Sequence, residues 1–396
     1  MRVLIATSGW PTHFYLMTPL AWALRAAGHD VRIATTPSGT PAVLAAGLPA
    51  VTVGDDIDFI GIRQRALPHE LSDDEMPESD EELRELMEDE GFGEILSAWQ
   101  EATFGATSDL VDLARSWSPD LVVADTMSVG AIVAAHVVGV PAVRHLLATD
   151  ILGSLEGETL LSTLPGFAER FAEHGVLLEG DPAHLTLDPC PPSIQPPPSP
   201  SRTQLRWVPY NGQGVMLPWL LDPPPRPRVC VTWGTSSVWS AGQENFLVPR
   251  VVAVLSEFDL DVVVTVGPGQ RELLGDLPPD VRVLESFPIH LLMPTTEVLI
   301  HQGGSSSMLT GGYYGVRQLS LPYLPEQQND AAAHAGTGAG IALPAEEADE
   351  ERLREALDAL LNQPSYAEGA ARLQEEIHAQ PTPVETVGVL EDLARR

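Results

Sequence analysis

Short apolar runs alternate along the whole chain with longer segments whose apolar positions follow a helical repeat. Ten apolar runs have the length of buried strands: residues 3–7, 31–35, 51–53, 121–124, 140–143, 229–233, 262–266, 281–284, 298–300 and 318–321. Helical patterns cover residues 19–27, 131–138, a segment starting at Met308, and 384–394. Strands that alternate with helices are typical of βαβ units and a parallel sheet. We therefore predict an α/β fold.

A proline-rich region separates the two series of predicted strands. Seven of the twelve residues 189–200 are proline, and Pro223–Pro225 follow. Proline is excluded from helix interiors and central strands, so we interpret residues 189–227 as the connector between two α/β halves. The predicted organisation is an N-terminal domain, a linker, a C-terminal domain and a last helix, at residues 1–205, 206–227, 228–380 and 381–396.

The charge balance excludes several partners. The chain has 22 basic and 55 acidic residues, for a formal net charge of −33. Such an excess of carboxylates repels nucleic acids and anionic membrane surfaces, so neither is expected as a partner. Every basic residue is arginine, which rules out mechanisms that need a lysine amine, such as the P-loop lysine or a Schiff base.

Cysteine usage and hydropathy favour a cytoplasmic protein. The two cysteines, Cys190 and Cys230, are too few for a disulfide framework or a metal knuckle. The apolar run at residues 3–7 is too short for a signal peptide, and no stretch of 18 apolar residues predicts a membrane span.

Residues 70–90 form the most acidic segment. Twelve of these twenty-one positions are Asp or Glu, and Arg84 is the only basic residue. The pattern is typical of a solvated insertion; a docking surface for a cationic partner is the alternative interpretation.

Candidate chemistry follows the predicted strands, because ligands of open α/β sheets bind beyond the carboxyl ends of the strands. His13 lies in the loop after the first strand, entering a helix, and Asp125 directly follows the strand at 121–124. Parallel strands would bring both residues to one edge, where Asp125 would accept a hydrogen bond from the imidazole and orient His13 as a general base. A structural histidine and a helix N-cap are the alternatives for the two residues taken singly.

The second half carries a stronger pattern after the strand at 298–300. His301, Gln302, Gly303, Gly304 and three serines precede a helix. Glycines let the backbone approach an anion, and the helix N-terminus supplies N–H groups and a positive dipole end. We interpret this segment as a cradle for a diphosphate that needs no lysine; a glycine-rich turn with a serine cap is the alternative.

Two neighbouring loops are predicted at the same edge. Thr235 and Ser236 follow the strand at 229–233 and offer hydroxyls, whereas Glu326 and Gln327 follow the strand at 318–321. A carboxylate beside an amide both accepts and donates hydrogen bonds, which suits adjacent sugar hydroxyls. Two Asp-x-Asp patterns, at residues 56–58 and 259–261, are expected by chance in so acidic a chain, and no metal site is predicted.

These motifs resemble those of a known family. Residues 19–31 resemble the N-terminal helix and second strand of the metal-independent, two-domain (GT-B) glycosyltransferases of the UDP-glycosyltransferase superfamily. Residues 208–212 resemble the segment before their linker, and 301–307 with Glu326 and Gln327 resemble their donor signature. The match is nearest to the bacterial enzymes that attach sugars, often deoxysugars, to polyketides and other natural products.

The resemblance implies two Rossmann-like domains facing a cleft, an inverting transfer, and a last helix that crosses back to the N-terminal domain. His13 would be the catalytic base and Asp125 its partner, with Trp10 and Phe14 on the acceptor side. The donor would be a nucleotide diphosphate sugar, a TDP-sugar rather than a UDP-sugar, with no other cofactor. The implied donor-binding residues are Thr235, Ser236, Phe287, His301, Gly303, Gly304, Ser305, Ser306, Glu326 and Gln327.

The sequence departs from the family pattern at three places. Ser306 and Ser307 replace the usual Gly-Thr, and Glu326 replaces the usual Asp. The aromatic residue that stacks on the base aligns with Ser286, and Phe287 comes one place later.

These departures leave a catalytically silent, auxiliary homologue as an alternative, and a sugar-nucleotide epimerase shares the architecture. Attack by an aromatic carbon, as in a C-glycosyltransferase, also remains open. So do the aglycone, the sugar, the need for an auxiliary protein, and a homodimeric state.

Overall fold

A computed structural model describes residues 1–58, 99–150, 166–195, 202–235 and 245–396, together with the single positions 61, 97, 238 and 242. The acidic segment at 70–90 and Ser236 lie outside the described residues. The described residues divide into two compact units. One unit comprises the described residues up to 212, except Gly61, and those from 380 onward. The other unit comprises Gly61 and residues 213–379.

The first unit is built on a parallel sheet. Its two central strands, at residues 2–6 and 121–125, are short and mostly apolar, as expected where helices cover both faces. In the described part of the chain it has seven strands: β1 Arg2–Ala6, β2 Asp30–Thr35, β3 Ala50–Thr52, β4 Leu121–Asp125, β5 Ala142–His145, β6 Leu185–Asp188 and β7 Arg202–Gln204. Their spatial order is β3-β2-β1-β4-β5-β6-β7, and every neighbouring pair is parallel.

Helices lie on both faces of this sheet. They are α1 Pro11–Ala26, α2 Thr40–Ala45, α3 Thr107–Trp117, α4 Val129–Val138 and α5 Phe167–Ala172. Two apolar clusters result, one between the sheet and α1 and the other between the sheet and α3 with α4. The strand order reverses between β1 and β4, which is the place where doubly wound sheets bind ligands.

Within its described residues, the second unit repeats this plan with six strands. They are β8 Arg228–Thr232, β9 Asp261–Val266, β10 Arg282–Glu285, β11 Val298–His301, β12 Arg317–Ser320 and β13 Gly340–Ala342, in the order β10-β9-β8-β11-β12-β13. Its helices are α6 Val248–Leu255, α7 Ser305–Tyr313, α8 Pro325–Gly336, α9 Glu350–Asn362 and α10 Pro364–Ala379. All pairs are parallel, so the predicted α/β class and two Rossmann-like domains are confirmed.

The last helix, α11 Pro383–Ala394, belongs to the first unit. Thr382 caps it, with Glu385 completing a capping box that satisfies the first N–H groups. Val387 and Leu390 are buried in the cluster that contains α1 and β1. The C-terminal segment is thereby part of the core that supports the first sheet.

Two expectations from the sequence are wrong. Helix α1 begins at Pro11, not at Pro19, so His13 lies in the first helical turn and not in a loop. Proline suits the first helical position because no hydrogen bond is required there, whereas Pro19 lies inside the helix. The proline-rich connector also contains a strand, since β7 pairs with β6 at the sheet edge, where proline-flanked strands are tolerated.

The described residues contain no helix that is both long and apolar enough to cross a membrane. The domain boundaries predicted from the sequence stay predictions.

Candidate active site

The sheet brings His13 and Asp125 together. Strands β1 and β4 are parallel neighbours with Ala6 opposite Ala124, so the residues that follow each strand emerge at the same edge. Helix α1 starts at Pro11 and carries the His13 side chain back over that edge. His13 Nδ1 lies 3.2 Å from Asp125 Oδ2. The predicted pair is therefore present in the structure.

Asp125 is fully buried and accepts several hydrogen bonds. Its Oδ2 accepts hydrogen bonds from the Thr7 hydroxyl at 3.0 Å and from the Ser8 N–H at 3.1 Å, besides His13. Its Oδ1 accepts one from the Met127 N–H at 3.0 Å. Burying a carboxylate is costly unless its oxygens are hydrogen-bonded, and these donors meet that requirement.

The same contacts keep Asp125 ionised. Burial raises the pKa of this carboxyl, but hydrogen bonds from His13, Ser128 and Ser8, with the charge of His13, hold the pKa below its ordinary value. An ionised carboxylate only accepts, so His13 Nδ1 must carry the hydrogen and Nε2 the lone pair. Ser8 Oγ lies 3.1 Å from the same Nδ1 and provides a second restraint on the ring. The His13 side chain remains 22% exposed, so a ligand can reach it.

The two predicted acceptor residues have different surroundings. The Trp10 ring is half-buried and stacks near the His13 ring, with centroids 6.4 Å apart and planes at 21°. Phe14 is only 1% exposed and packs in the apolar cluster beneath the sheet. Because α1 begins at Pro11, the residue after His13 faces inward. The structure therefore does not bring Phe14 to the site.

A small cavity, open to solvent, adjoins this dyad. Small or hydroxyl-bearing side chains form most of its wall, with a few larger apolar ones. The lining residues are Ala6, Thr7, Ser8, Gly9, Ala34, Thr36, Val53, Ile57, Ala102, Thr103, Ala106, Leu110, Met127 and Ser128. The wall is suited to an apolar ligand with few polar groups.

At the edge of the second sheet, the loop after β11 depends on glycine. Gly303 has φ +91°, and a Cβ there would lie 3.0 Å from Gln327 Cβ and 3.1 Å from Pro322 Cβ. At Gly304 a Cβ would lie 2.7 Å from the Gln302 amide nitrogen. The first glycine is needed for both its backbone conformation and its space. The loop thus lies close against the start of α8.

Helix α7 begins at Ser305, with Ser306 and Ser307 in its first turn. The first N–H groups of a helix have no acceptor within the helix, and the dipole there favours an anion. Ser305 Oγ donates a hydrogen bond of 2.7 Å to the buried Asp330 on α8. The hydroxyl oxygen of Ser305 is thereby oriented by a carboxylate, and the serines stay half-buried at the loop.

His301 lies inside the protein. Its exposure is 0%, and burial lowers its pKa to about 3, so the ring is neutral. Nδ1 accepts the Gly303 N–H at 3.1 Å, and Nε2 lies within hydrogen-bond distance of Gln318 and Ser320. Both ring nitrogens have partners within the domain, so in this structure His301 shapes the loop and is not presented to solvent.

The loop after β8 is held to its neighbour by a residue that the sequence analysis did not consider. Gln270 is fully buried; its Oε1 accepts from the Gly267 N–H at 2.8 Å, and its Nε2 donates to the Gly234 carbonyl at 3.1 Å. The adjacent Thr235 is exposed. Gln270 thereby fixes the backbone from which Thr235 projects.

The remaining predicted donor residues are placed as follows. Glu326 is exposed in the first turn of α8, and Gln327, next to it, is half-buried and accepts weakly from the Tyr323 N–H at 3.4 Å. Phe287 packs against the apolar cluster on the α7 side of the sheet. Ser286 is exposed and has φ +53°, a conformation uncommon for a residue with a side chain.

Sequence reasoning missed the residues that hold the site residues in place: Thr7, Ser8, Gln270, Gln318 and Asp330. For Gln318 a signal was present, since a lone amide within an apolar strand must find partners when the strand is buried. The partners of the others come from elements distant in sequence, and no local pattern indicates them.

Family models agree with this geometry. Residues 22–234 match the N-terminal domain of the erythromycin biosynthesis protein CIII-like family, and residues 249–393 match its C-terminal domain. The chain belongs to this family. It is therefore a bacterial natural-product glycosyltransferase of the UDP-glycosyltransferase superfamily, as the sequence predicted.

Individual relatives cover the full length of the glycosyltransferase. It is 34% identical to 10-deoxymethynolide desosaminyltransferase of Streptomyces venezuelae, over all of this chain and 97% of that protein. It is 33% identical to aklavinone 7-beta-L-rhodosaminyltransferase of Streptomyces galilaeus, over 99% and 96% of the two chains.

Solved structures show the same GT-B architecture. Glycosyltransferase VinC in complex with dTDP superimposes with a TM-score of 0.83 at 30% identity, covering all of both chains. The spinosyn rhamnosyltransferase SpnG complexed with thymidine diphosphate gives 0.79 at 30% identity, covering 99% of this chain and all of that one.

Proposed function

We propose that the enzyme transfers a deoxysugar from a thymidine diphosphate donor to a hydroxyl of a polyketide-type aglycone, with inversion at the anomeric carbon. The names of the relatives support the sugar and acceptor classes, since desosaminyl and rhodosaminyl groups are deoxysugars. Two solved relatives are complexes with thymidine diphosphate, which supports thymine as the nucleobase of the donor.

The observation that carries the chemistry is the contact between His13 Nδ1 and Asp125 Oδ2. With Nδ1–H committed to the carboxylate, Nε2 of His13 takes the proton from the acceptor hydroxyl as its oxygen attacks the anomeric carbon. Asp125 stabilises the imidazolium that forms. Its burial, and the hydrogen bonds that keep it charged, make this stabilisation stronger than it would be in water. A single displacement inverts the anomeric centre.

Neutral groups hold the donor in this proposal. The N–H groups at the start of α7 and the hydroxyls of Thr235, Ser305 and Ser306 contact the diphosphate, and Glu326 with Gln327 contacts the transferred sugar. His301 supports the loop from beneath. The leaving diphosphate is stabilised by oriented dipoles, which need no reorganisation as charge develops.

The donor assignment is tested by titration calorimetry of the full chain with TDP and with UDP, each with and without Mg²⁺. We expect metal-independent binding with a Kd of about 10 μM or tighter for TDP and weaker binding of UDP. Binding that requires the metal, or no binding of either nucleotide, contradicts the donor site.

The role of His13 as general base is tested with His13→Ala. We expect the rate of transfer to fall about 1,000-fold, because proton abstraction is lost, while the Kd for TDP stays within about twofold. His378→Ala is the matched control, since His378 is an exposed histidine of α10 whose described contacts, to the Tyr313 carbonyl and ring, lie within the second unit. Full activity of the His13 variant contradicts the proposed role.

A further inference from the structure

A chain of buried polar groups runs beneath the donor loop in the second unit. It joins His301 at the end of β11, Gln318 in β12 and His334 in α8, and all three side chains are 0% exposed. Gln318 Oε1 lies 3.1 Å from His301 Nε2, and Gln318 Nε2 lies 3.0 Å from both the Met308 carbonyl and His334 Nε2. Four elements, β11, β12, α7 and α8, thus meet at one amide.

The amide of Gln318 can take only one orientation. The Met308 carbonyl is an acceptor whatever the protonation state of its neighbours, so the NH₂ group must face it. The carbonyl oxygen of Gln318 then faces His301 Nε2, which must carry the hydrogen. The other ring nitrogen, Nδ1, is left as the acceptor of the Gly303 N–H.

Ser320 does not fix which nitrogen of His301 carries the hydrogen. Its Oγ also lies 3.2 Å from His301 Nε2, but a hydroxyl donates as readily as it accepts. With Ser320 alone, His301 would be free to carry its hydrogen on Nδ1 and would then face the Gly303 N–H with a second donor. The backbone at Gly303 would lose its hydrogen bond.

Close packing keeps the two supporting side chains in place. A Cβ at Gly311 would lie 2.7 Å from the Gln318 side-chain carbonyl carbon, and a Cβ at Gly340 would lie 2.7 Å from His334 Cε1. The Gln318 amide and the His334 ring therefore occupy space that these two glycines leave. His334 Nδ1 has no partner among the described residues, so the contact with Gln318 is the polar contact that the structure assigns to this ring.

We propose that Gln318, supported by His334, is a positioning residue that sets the tautomer of His301 and thereby holds Gly303 in the shape required for donor binding. The inference rests on the proposed function, because the shape matters only if the loop holds a diphosphate. In this proposal, donor affinity depends on Gln318 and His334 although neither side chain touches the donor.

The test follows two signals in the full chain labelled with ¹⁵N-histidine. Long-range ¹H–¹⁵N spectra report which nitrogen of His301 carries the hydrogen, with assignment by His301→Gln and His334→Gln; calorimetry reports the Kd for TDP. For Gln318→Met, which keeps length but removes both polar groups, we expect the Nε2–H tautomer to be lost and the Kd to rise about tenfold.

Ser320→Ala is the matched control, because it removes the other partner of the same His301 nitrogen. We expect the Nε2–H tautomer and the Kd of this variant to match those of the wild type. If Gln318→Met leaves either signal unchanged while the protein is folded, the proposal is overturned.

A second pair of variants guards against misfolding at Gln318. His334→Leu removes the acceptor for the amide, and we expect it to weaken TDP binding severalfold. His334→Gln places an amide oxygen near the position of Nε2 and should restore the affinity. Equal affinities of the two variants overturn the supporting role of His334. Failure of the wild type to bind TDP counts against the proposed function, and the spectra still decide whether Gln318 sets the tautomer.

Discussion

The histidines at the carboxyl edges of the two sheets differ in their exposure to solvent. At the first edge a hydrogen-bonded pair, His13 with Asp125, lies beside a solvent-open cavity, and the histidine stays partly exposed. At the second edge His301 and His334 are wholly buried and neutral, with pKa values lowered by burial to about 3 and about 4. Proton transfer needs an ionisable group that a ligand can reach, whereas the proposed binding of the diphosphate relies on neutral N–H and hydroxyl groups held in a rigid loop.

The difference also bears on the proposed donor site, because a chain with net charge −33 and no lysine would have to hold the diphosphate with neutral groups. An additional carboxylate near the diphosphate would repel it, yet Asp330 lies at the second edge. Its Oδ2 accepts a hydrogen bond of 2.7 Å from the Ser305 hydroxyl. Substitutions at the first edge should therefore change catalysis, and those at the second edge should change affinity.

After His13→Ala, the largest effect is expected for Asp125→Asn at the first edge. The amide keeps the shape but removes the negative charge that stabilises the imidazolium, so kcat should fall about 100-fold or more with the Kd for TDP unchanged. Asp120→Asn is the matched control, because Asp120 precedes the same strand at its opposite end and its carboxylate accepts a hydrogen bond from the Arg2 N–H. Steady-state kinetics and calorimetry measure both quantities. A variant that loses affinity but not kcat would reverse the comparison.

Gly303→Ala tests the backbone at the second edge. A side chain at φ +91° is strained, and its Cβ would meet Gln327 at 3.0 Å, so the Kd for TDP should rise about 10- to 100-fold. The kcat at saturating donor should change less than the affinity. Gly336→Ala is the control, since no atom lies within 4 Å of the added Cβ. Unchanged TDP affinity in calorimetry contradicts the role of the loop.

The buried histidines predict a pH dependence of stability. The unfolded chain takes up protons on His301 and His334 below about pH 6.5, but the folded state does so only near the lowered pKa values of about 3 and about 4. The free energy of unfolding should therefore fall as the pH drops from about 6.5 towards 4. His145, whose pKa burial lowers to about 4, acts in the same direction, and Asp188, whose pKa burial raises to about 6, opposes it.

His334→Gln isolates one of these groups. Its free energy of unfolding should fall less steeply than that of the wild type between pH 6.5 and 4, by at most about 1.4 kcal/mol per pH unit, because one fewer proton is bound on unfolding. Urea denaturation at several pH values measures the slopes. Parallel slopes for the two proteins contradict a neutral His334.

The smallest effect is expected for Thr7→Val. It removes one of the donors to Asp125 and leaves the others, so kcat should fall about threefold and the lower limb of its pH profile should move to higher pH. Thr265→Val is the matched control, because within the described residues the buried Thr265 hydroxyl has no hydrogen-bond partner. Identical pH profiles of wild type and Thr7→Val would show that this hydroxyl does not tune the carboxylate.

Much of the fold was predictable because buried parallel strands are continuous apolar runs. The runs at 121–124 and 298–300 correspond to β4 and β11, so Asp125 and His301 were placed at strand ends without a structure. The start of α1 was not predictable in this way. Two prolines, Pro11 and Pro19, suit a helix N-terminus equally well in sequence, and only packing of the first two turns selects Pro11.

In the candidate site, too, some features were predictable from the local sequence and others were not. The glycines at 303 and 304 and the carboxylate at the end of β4 were visible as local patterns. The burial of His301 and the inward position of Phe14 depend on which helix covers which face of a sheet. Solvent exposure of one side chain is decided by residues far away in sequence, so a local pattern does not contain it.

By itself, the sequence determined the α/β class, the lack of any lysine chemistry, and the strand ends at which His13, Asp125 and the glycine-rich loop occur. Each of these depends on residue type and spacing within one segment. The tertiary structure alone decided that Thr7 and Ser8 hold Asp125, and that Gln318 lies between His301 and His334. Hydrogen bonds in a core join atoms within about 3 Å across elements that share no local pattern, and only the packed sheet brings them within that distance.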